Sequence, residues 1–121
     1  MLVIELPWPP KELMPNRARG MHWAAKGKIA KSYRAMCYVI AWNSFRAQLS
    51  GVPPRGRQHL SVVFVPPDKR SRDGDGLMTA MKAGFDAISE AIGLDDKYFR
   101  PVTYDISDNI EKNGKVVITL G

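Results

Sequence analysis

Two aspartates one residue apart, Asp73 and Asp75, stand in the stretch PDKRSRDGDGLMTAMKAGFDAISEAIGLDD (residues 67–96), just past a β-branched run and just before a helical pattern. On an extended turn alternate side chains point the same way, so the D-x-D spacing lets two carboxylates converge on one point. Gly74 and Gly76 let the backbone approach that point closely. Paired carboxylates repel each other and are readily tolerated when a divalent cation lies between them. An oxygen-only donor set suits Mg²⁺ or Mn²⁺ rather than Zn²⁺. Along a helix that follows, at about 100° per residue, Asp75, Thr79, Lys82 and Asp86 fall in one polar stripe about 60° wide. Lys82 thus projects from the face that begins with Asp75, where an ammonium can bind a phosphate or offset developing charge. Asp95 and Asp96 follow the helix and could fold back to add a third carboxylate. A plainer reading of the same residues is an aspartate N-cap, a solvated turn and a Lys82–Asp86 surface pair at i, i+4.

Basic residues flank these acids. Lys69, Arg70 and Arg72 adjoin the aspartates directly, as a phosphodiester-cutting site requires, although a salt-bridged turn would use the same residues. A second cluster, Arg17, Arg19, His22, Lys26, Lys28, Lys31 and Arg34, lies near Trp8 and Trp23. Basic residues interleaved with aromatics suit phosphates and exposed bases. His22 has no partner at metal-ligand spacing, and His59 sits at a strand start with no special role expected. Over the whole chain 18 Lys and Arg outnumber 12 Asp and Glu, a formal charge of +6 with a pI near 9.7. Such a balance attracts polyanions, nucleic acid first and an anionic membrane surface second.

The elements that must position these groups fit one domain of 121 residues. Residues 2–6 read as a strand stopped by Pro7, Pro9 and Pro10, and 11–26 as a loop. A first helix is expected over 28–48, with Ile29, Tyr33, Met36, Cys37 and Ile40 on the core face. Tyr38, Trp42 and Phe45 fall roughly opposite, as a partner surface or beneath a covering loop. Residues 60–65 read as an inner strand, 77–92 as a second helix with Gly93 as C-cap, and 102–107 and 115–120 as strands. Asn113-Gly114 signals a hairpin between the last two strands. The expected class is α/β (α+β mixed), in the order β-α-β-α-β-β, with a mixed sheet and two main helices. Cys37, the one cysteine, sits mid-helix and suits a buried thiol in a reducing cytoplasm. MLVIELPWPP has no signal-peptide pattern and no run approaches a membrane span, so a cytoplasmic protein with no membrane partner is expected.

The combination of segments resembles the RusA-type Holliday junction resolvases, often carried by prophages. The likeness runs through LPWPP at residues 6–10, residues 22–34, PDKRSRDGDGL at 67–77, Lys82 with Phe85-Asp86, Leu94-Asp95-Asp96 and the expected closing hairpin. The resemblance implies a homodimer of mixed α/β fold that cuts four-way DNA junctions with Mg²⁺ by paired symmetric nicks. It implies that Asp73 and Asp75 are the family's D-x-D aspartates, that Asp96 (or else Asp95) is its later aspartate, that Arg72 is the arginine before the first, and that Lys82 is the active-site lysine. Two departures stand out. Gly76 occupies the place where the family usually carries Asn, and some members place the lysine a turn earlier, at the position of Thr79. The other functions open at this point are a non-catalytic branched-DNA binder and a nuclease for other branched or flap substrates.

Overall fold

Three strands carry an apolar residue at every second position, and each turns that face the same way. The computed structural model describes residues 1–15 and 22–121. Strand β1 (Leu2–Pro7) buries Leu2, Ile4 and Leu6; β2 (Gln58–Val65) buries Leu60, Val62 and Phe64; β4 (Lys115–Leu120) buries Val116, Ile118 and Leu120. Antiparallel pairing of β4 with both β1 and β2 aligns these residues in rows: Leu2–Leu120–Leu60, Ile4–Ile118–Val62 and Leu6–Val116–Phe64. A one-residue slip would turn every one of these side chains outward, so the pattern holds the register. Each fully buried Leu or Ile contributes about 1.5–3 kcal/mol. Strand β3 (Phe99–Ile106) runs parallel to β2 and completes the order β1-β4-β2-β3.

The order β-α-β-α-β-β and the mixed α/β class are as expected from the sequence. The closing hairpin is not. Asn113 and Gly114 take positive φ (70° and 67°), as hairpin residues do, but Gly114 N–H closes a turn onto Glu111 C=O (2.8 Å). The preceding segment crosses the end of β2, with Ser107 N–H on Phe64 C=O and Glu111 N–H on Pro66 C=O. The chain therefore enters β4 on the far side of β2, between β2 and β1, where its apolar face is covered on both flanks.

Helix α1 (Trp23–Leu49) starts earlier than the sequence pattern indicates, so Lys26 is helical rather than in a loop. His22 caps it, its Nδ1 accepting from Ala24 N–H at 3.3 Å. Its buried stripe is Tyr33, Cys37, Ala41 and Phe45, spaced by four. This corrects the expected faces: Phe45 belongs to the core, while Met36 is half exposed. Ala41, with no exposed surface, completes the stripe although it is not a large apolar residue.

The expected second helix is two. Helix α2 (Gly74–Ala80) ends at Met81, whose N–H is shared between the carbonyls of Leu77 and Met78, and α3 (Lys82–Ile92) starts beyond it. This tightened turn places the Met81 side chain, fully buried, against the Tyr33 hydroxyl (3.3 Å to Sδ). Gly84 permits the approach, since a Cβ there would stand 2.9 Å from Met81 Cε. Gly93 caps α3 with φ 70°, as its position predicts. No helix among the described residues is long and apolar enough to cross a membrane.

Burial pushes the Cys37 thiol up to about 11, against a smaller opposing effect of its hydrogen bond with Tyr33. The thiolate is the reactive form. The native protein should therefore not react with a thiol reagent at pH 8 and should label only as it unfolds, which a stopped reaction followed by mass spectrometry measures. The raised value also means that stability is retained below the ordinary thiol value of 9.0 and lost as pH rises from there through about 11.

Candidate functional site

The unit β2–α2–α3–β3 joins two neighbouring parallel strands, and the acidic turn lies at the carboxyl end of β2. Ligands in α/β sheets sit outside the carboxyl ends of parallel strands. Residues 68–73 are held in shape by Arg72. Its Nη1 donates to the carbonyls of Asp68 (3.0 Å) and Arg70 (2.9 Å), and its Nη2 to Asp68 Oδ1 (2.8 Å). The guanidinium lies 5.3 Å from the Trp8 ring centroid and its side chain is only 13% exposed. Trp8 in turn meets Phe64 edge-on at 6.0 Å. Arg70 also pairs with Asp68, through Nη2 at 3.0 Å. The Arg70 side chain, then its backbone N–H, then Arg72 hold the Asp68 carboxyl far below the usual carboxylate range. Of the basic run, Arg70 and Arg72 are thus engaged inside the turn, while exposed Lys69 makes no ion pair among the described residues.

Asp73 is the N-cap of α2: Oδ1 accepts from Asp75 N–H at 3.2 Å, and its carbonyl accepts from Leu77 N–H at 3.0 Å. The capping role and a ligand role are compatible, because only one carboxylate oxygen is used. Asp75, in the first turn, accepts through Oδ1 from the Tyr104 hydroxyl at 3.1 Å. Among the described residues no hydrogen bond engages Oδ2 of either aspartate. The hydrogen bond to Asp75, then its charge, then burial and the charge of Asp73 push the Tyr104 phenol up, so one hydroxyl feels both carboxylates. Gly76 is buried, and a Cβ there would lie 3.3 Å from Asp73 Oδ2. A larger residue at this position, such as Asn, would press on that carboxylate.

Asp96 opens a 3₁₀ turn (Asp96–Tyr98) that Asp95 caps, accepting from Lys97 N–H at 2.9 Å. That backbone bond is the main cause holding the Asp95 carboxyl below its ordinary value. Asp96 faces a depression of about 420 Å³ that it shares with Thr79, Lys82, Phe85 and Asp86. Thr79 links the two places, since its Oγ1 donates to Asp75 C=O at 3.0 Å. The three aspartates are not gathered into one cluster: among the described residues no group of three His, Cys, Asp or Glu could hold a metal. Asp73 and Asp75 share the start of α2, and both act on the Tyr104 hydroxyl. Two carboxylates at an exposed turn, with no hydrogen bond to either Oδ2 among the described residues, are a donor set of the kind Mg²⁺ or Mn²⁺ takes, one or two carboxylates with several waters.

A groove of about 580 Å³ runs between α1 and the α2–α3 junction. Its floor includes Ala30, Ala80 and Ala83, and its rim carries Lys26, Lys31, Arg34 and Lys82 against Asp86, the one acid on it among the described residues. Thr79, Lys82 and Asp86 line both this groove and the depression at Asp96. Lys82 is mostly exposed and 3.7 Å from Asp86; Arg34 pairs with Glu90 at 2.7 Å. Lys28 lies apart, in a second depression with Ser32 and Met36. Trp23, 81% exposed, stacks on His22 in the first turn of α1. Arg17 and Arg19 lie outside the described residues. Tyr104 is a site residue that no motif in the sequence marks. Its alternation with Val102 and Ile106 marks its face, but nothing local marks its partner 29 residues earlier.

No protein-family profile matches the chain. An uncharacterized protein of Xylella fastidiosa is 37% identical to it over 122 residues, covering 99% of this chain and 76% of that protein. At that identity and coverage the chain belongs to the same family as the Xylella fastidiosa protein.

Proposed function

We propose that the protein is a Mg²⁺-dependent endodeoxyribonuclease of the RusA type that resolves four-way DNA junctions by paired nicks. The observation that carries this reading is the Asp73–Asp75 pair, its Oδ2 atoms without hydrogen bonds among the described residues, past the carboxyl end of β2 and one helical turn before Thr79, which lines a groove rimmed by Lys26, Lys31, Arg34 and Lys82. Acids alone would repel a polyanion; acids one helical turn from a basic groove can receive one phosphate while its neighbours are held elsewhere.

Asp73 and Asp75 would hold the ion, with Mn²⁺ as an alternative. When bound, it supplies an activated water and offsets charge on the scissile phosphate. The chain's own residues do the rest. The Asp73 cap and the Tyr104 hydroxyl fix the two carboxylates, and the Arg72 clamp on Asp68 and Trp8 keeps the turn in shape. Lys82, Lys31 and Lys26 contact phosphates along the groove, and Lys69 a phosphate across the turn. Lys82 is also placed to offset charge on the leaving group. Asp96 approaches this arrangement from the far side of Thr79. A second copy of the chain would bring a second site to the opposite strand of a two-fold symmetric junction. The buried lone thiol suits a cytoplasmic setting. The same residues without cleavage would make a branched-DNA binder, a reading favoured by the separation of Asp96 from the pair.

Binding of a labelled four-way junction in Ca²⁺, followed by gel shift across salt, tests the nucleic-acid half of this reading. Affinity should fall roughly 40- to 150-fold between about 50 and 200 mM salt if three or four phosphate contacts form. Lys31→Glu with Lys82→Glu should weaken binding and flatten the salt dependence. A double variant that binds as the parent does would remove the groove from the account.

A further inference from the structure

We infer that Tyr104 is a positioning residue of the acidic site: its hydroxyl holds the Asp75 carboxylate in a single orientation, leaving Oδ2 as the oxygen presented to a cation. The inference rests on the proposed metal-binding reading of Asp73 and Asp75, and deepens it.

Three independent features place the phenol. Parallel pairing sets Tyr104 beside Val62, late in β3, so it emerges at the same carboxyl end of the sheet as the turn that leaves β2. Its ring meets Phe64 edge-on, with centroids 6.4 Å apart, and Phe64 is fully buried, so the ring rests on an immobile support. Its hydroxyl donates to Asp75 Oδ1 at 3.1 Å.

The turn is cut to fit this ring. A Cβ at position 74 would come within 2.8 Å of the Tyr104 hydroxyl oxygen and 2.9 Å of Cζ, with Cε2 closer still. Gly74 is not in the positive-φ region, so no backbone conformation demands glycine there. What demands it is the space the phenol occupies. The second residue of the D-G-D-G stretch is thus a cradle for a side chain from another strand. Such an outer hydrogen bond orients a ligand and selects which oxygen faces the ion.

The hydroxyl acts through Asp75 and need not touch substrate, so the test reads orientation and cation binding as well as turnover. Tyr104→Phe keeps the ring on Phe64 and removes only the hydroxyl. Mn²⁺ affinity, measured by electron paramagnetic resonance on the whole chain, should fall roughly 10-fold in Tyr104→Phe. Gly74→Ala, which keeps the hydroxyl but displaces the ring, should match it. In metal-free protein, three-bond couplings of the Asp75 β-protons should report one χ1 rotamer in the parent and averaging in both variants, with unchanged circular dichroism. Asp75 remaining in one rotamer in Tyr104→Phe, with parental Mn²⁺ affinity, would overturn the inference. Averaged couplings in the variants of a protein that binds no Mn²⁺ would uphold the positioning role and remove the metal reading instead.

Discussion

Asp75→Asn should slow junction nicking by about 10³-fold or more, equivalent to roughly 4 kcal/mol of transition-state stabilisation. The substitution keeps size and shape and leaves an oxygen for the Tyr104 hydroxyl, so what it removes is the charge. The helix start does not depend on it, because the N-cap is Asp73. Asp73→Asn should behave alike, since Asn and Asp cap helices about equally well. Both variants should keep junction affinity in Ca²⁺ within about threefold of the parent, because phosphate contacts along the groove dominate it. Single-turnover nicking paired with gel-shift binding measures the two effects separately. A variant that loses binding and nicking in parallel would show that the carboxylates act in recognition rather than chemistry.

Phe64→Ala should be the most costly single truncation near the site. The side chain has no exposed surface, lies in the row Leu6–Val116–Phe64, and meets the rings of Trp8 and Tyr104 edge-on at 6.0 and 6.4 Å. Removing a buried Phe costs about 3–5 kcal/mol, a large share of the roughly 5–15 kcal/mol that holds a domain of this size. The melting temperature should drop by on the order of 10–20 °C in calorimetry. The damage also reaches the site by two routes. Trp8 supports the Arg72 clamp on Asp68, and Tyr104 supports Asp75. Nicking at a temperature where the variant is folded should therefore be slower than in the parent. Ile4→Ala, equally buried but on the far strand of the sheet, should cost stability without that added loss.

Much of the fold was legible in the chain because alternation and turn residues are local signals. Leu2, Ile4 and Leu6 announce a strand and its inner face, and Gly93 announces the end of a helix. Neighbour choice is not local. Asn113-Gly114 has hairpin chemistry, yet β4 goes between β1 and β2 because that is where its Val116, Ile118 and Leu120 find apolar rows on both sides. The break at Met81 is invisible for a similar reason: residues 77–92 have sound helical periodicity, and it is a buried thioether meeting Tyr33 and Gly84 that interrupts it.

The site divides the same way. The D-x-D spacing and its glycines point to two convergent carboxylates, and the structure has them sharing one end of the sheet. The single helical stripe joining Asp75 to Lys82 does not survive as a stripe, since the two residues are on different helices. Lys82, Thr79 and Asp86 nonetheless line one groove. Arg72 reads as a phosphate contact from its charge and its place beside the acids. Its Nη1 and Nη2 also donate to Asp68 and Arg70, a clamp that only the folded turn reveals.

The most direct test is to incubate the full chain with an end-labelled synthetic four-way junction and a linear duplex of the same sequence, in Mg²⁺ and in chelator. Paired nicks are expected at symmetric positions in the junction, in Mg²⁺ only, with the duplex left intact and with nicking lost in Asp75→Asn. Tight, salt-sensitive junction binding without any nick in Mg²⁺ or Mn²⁺ would contradict the nuclease reading, and would leave a basic groove that recognises branched DNA and does no chemistry on it.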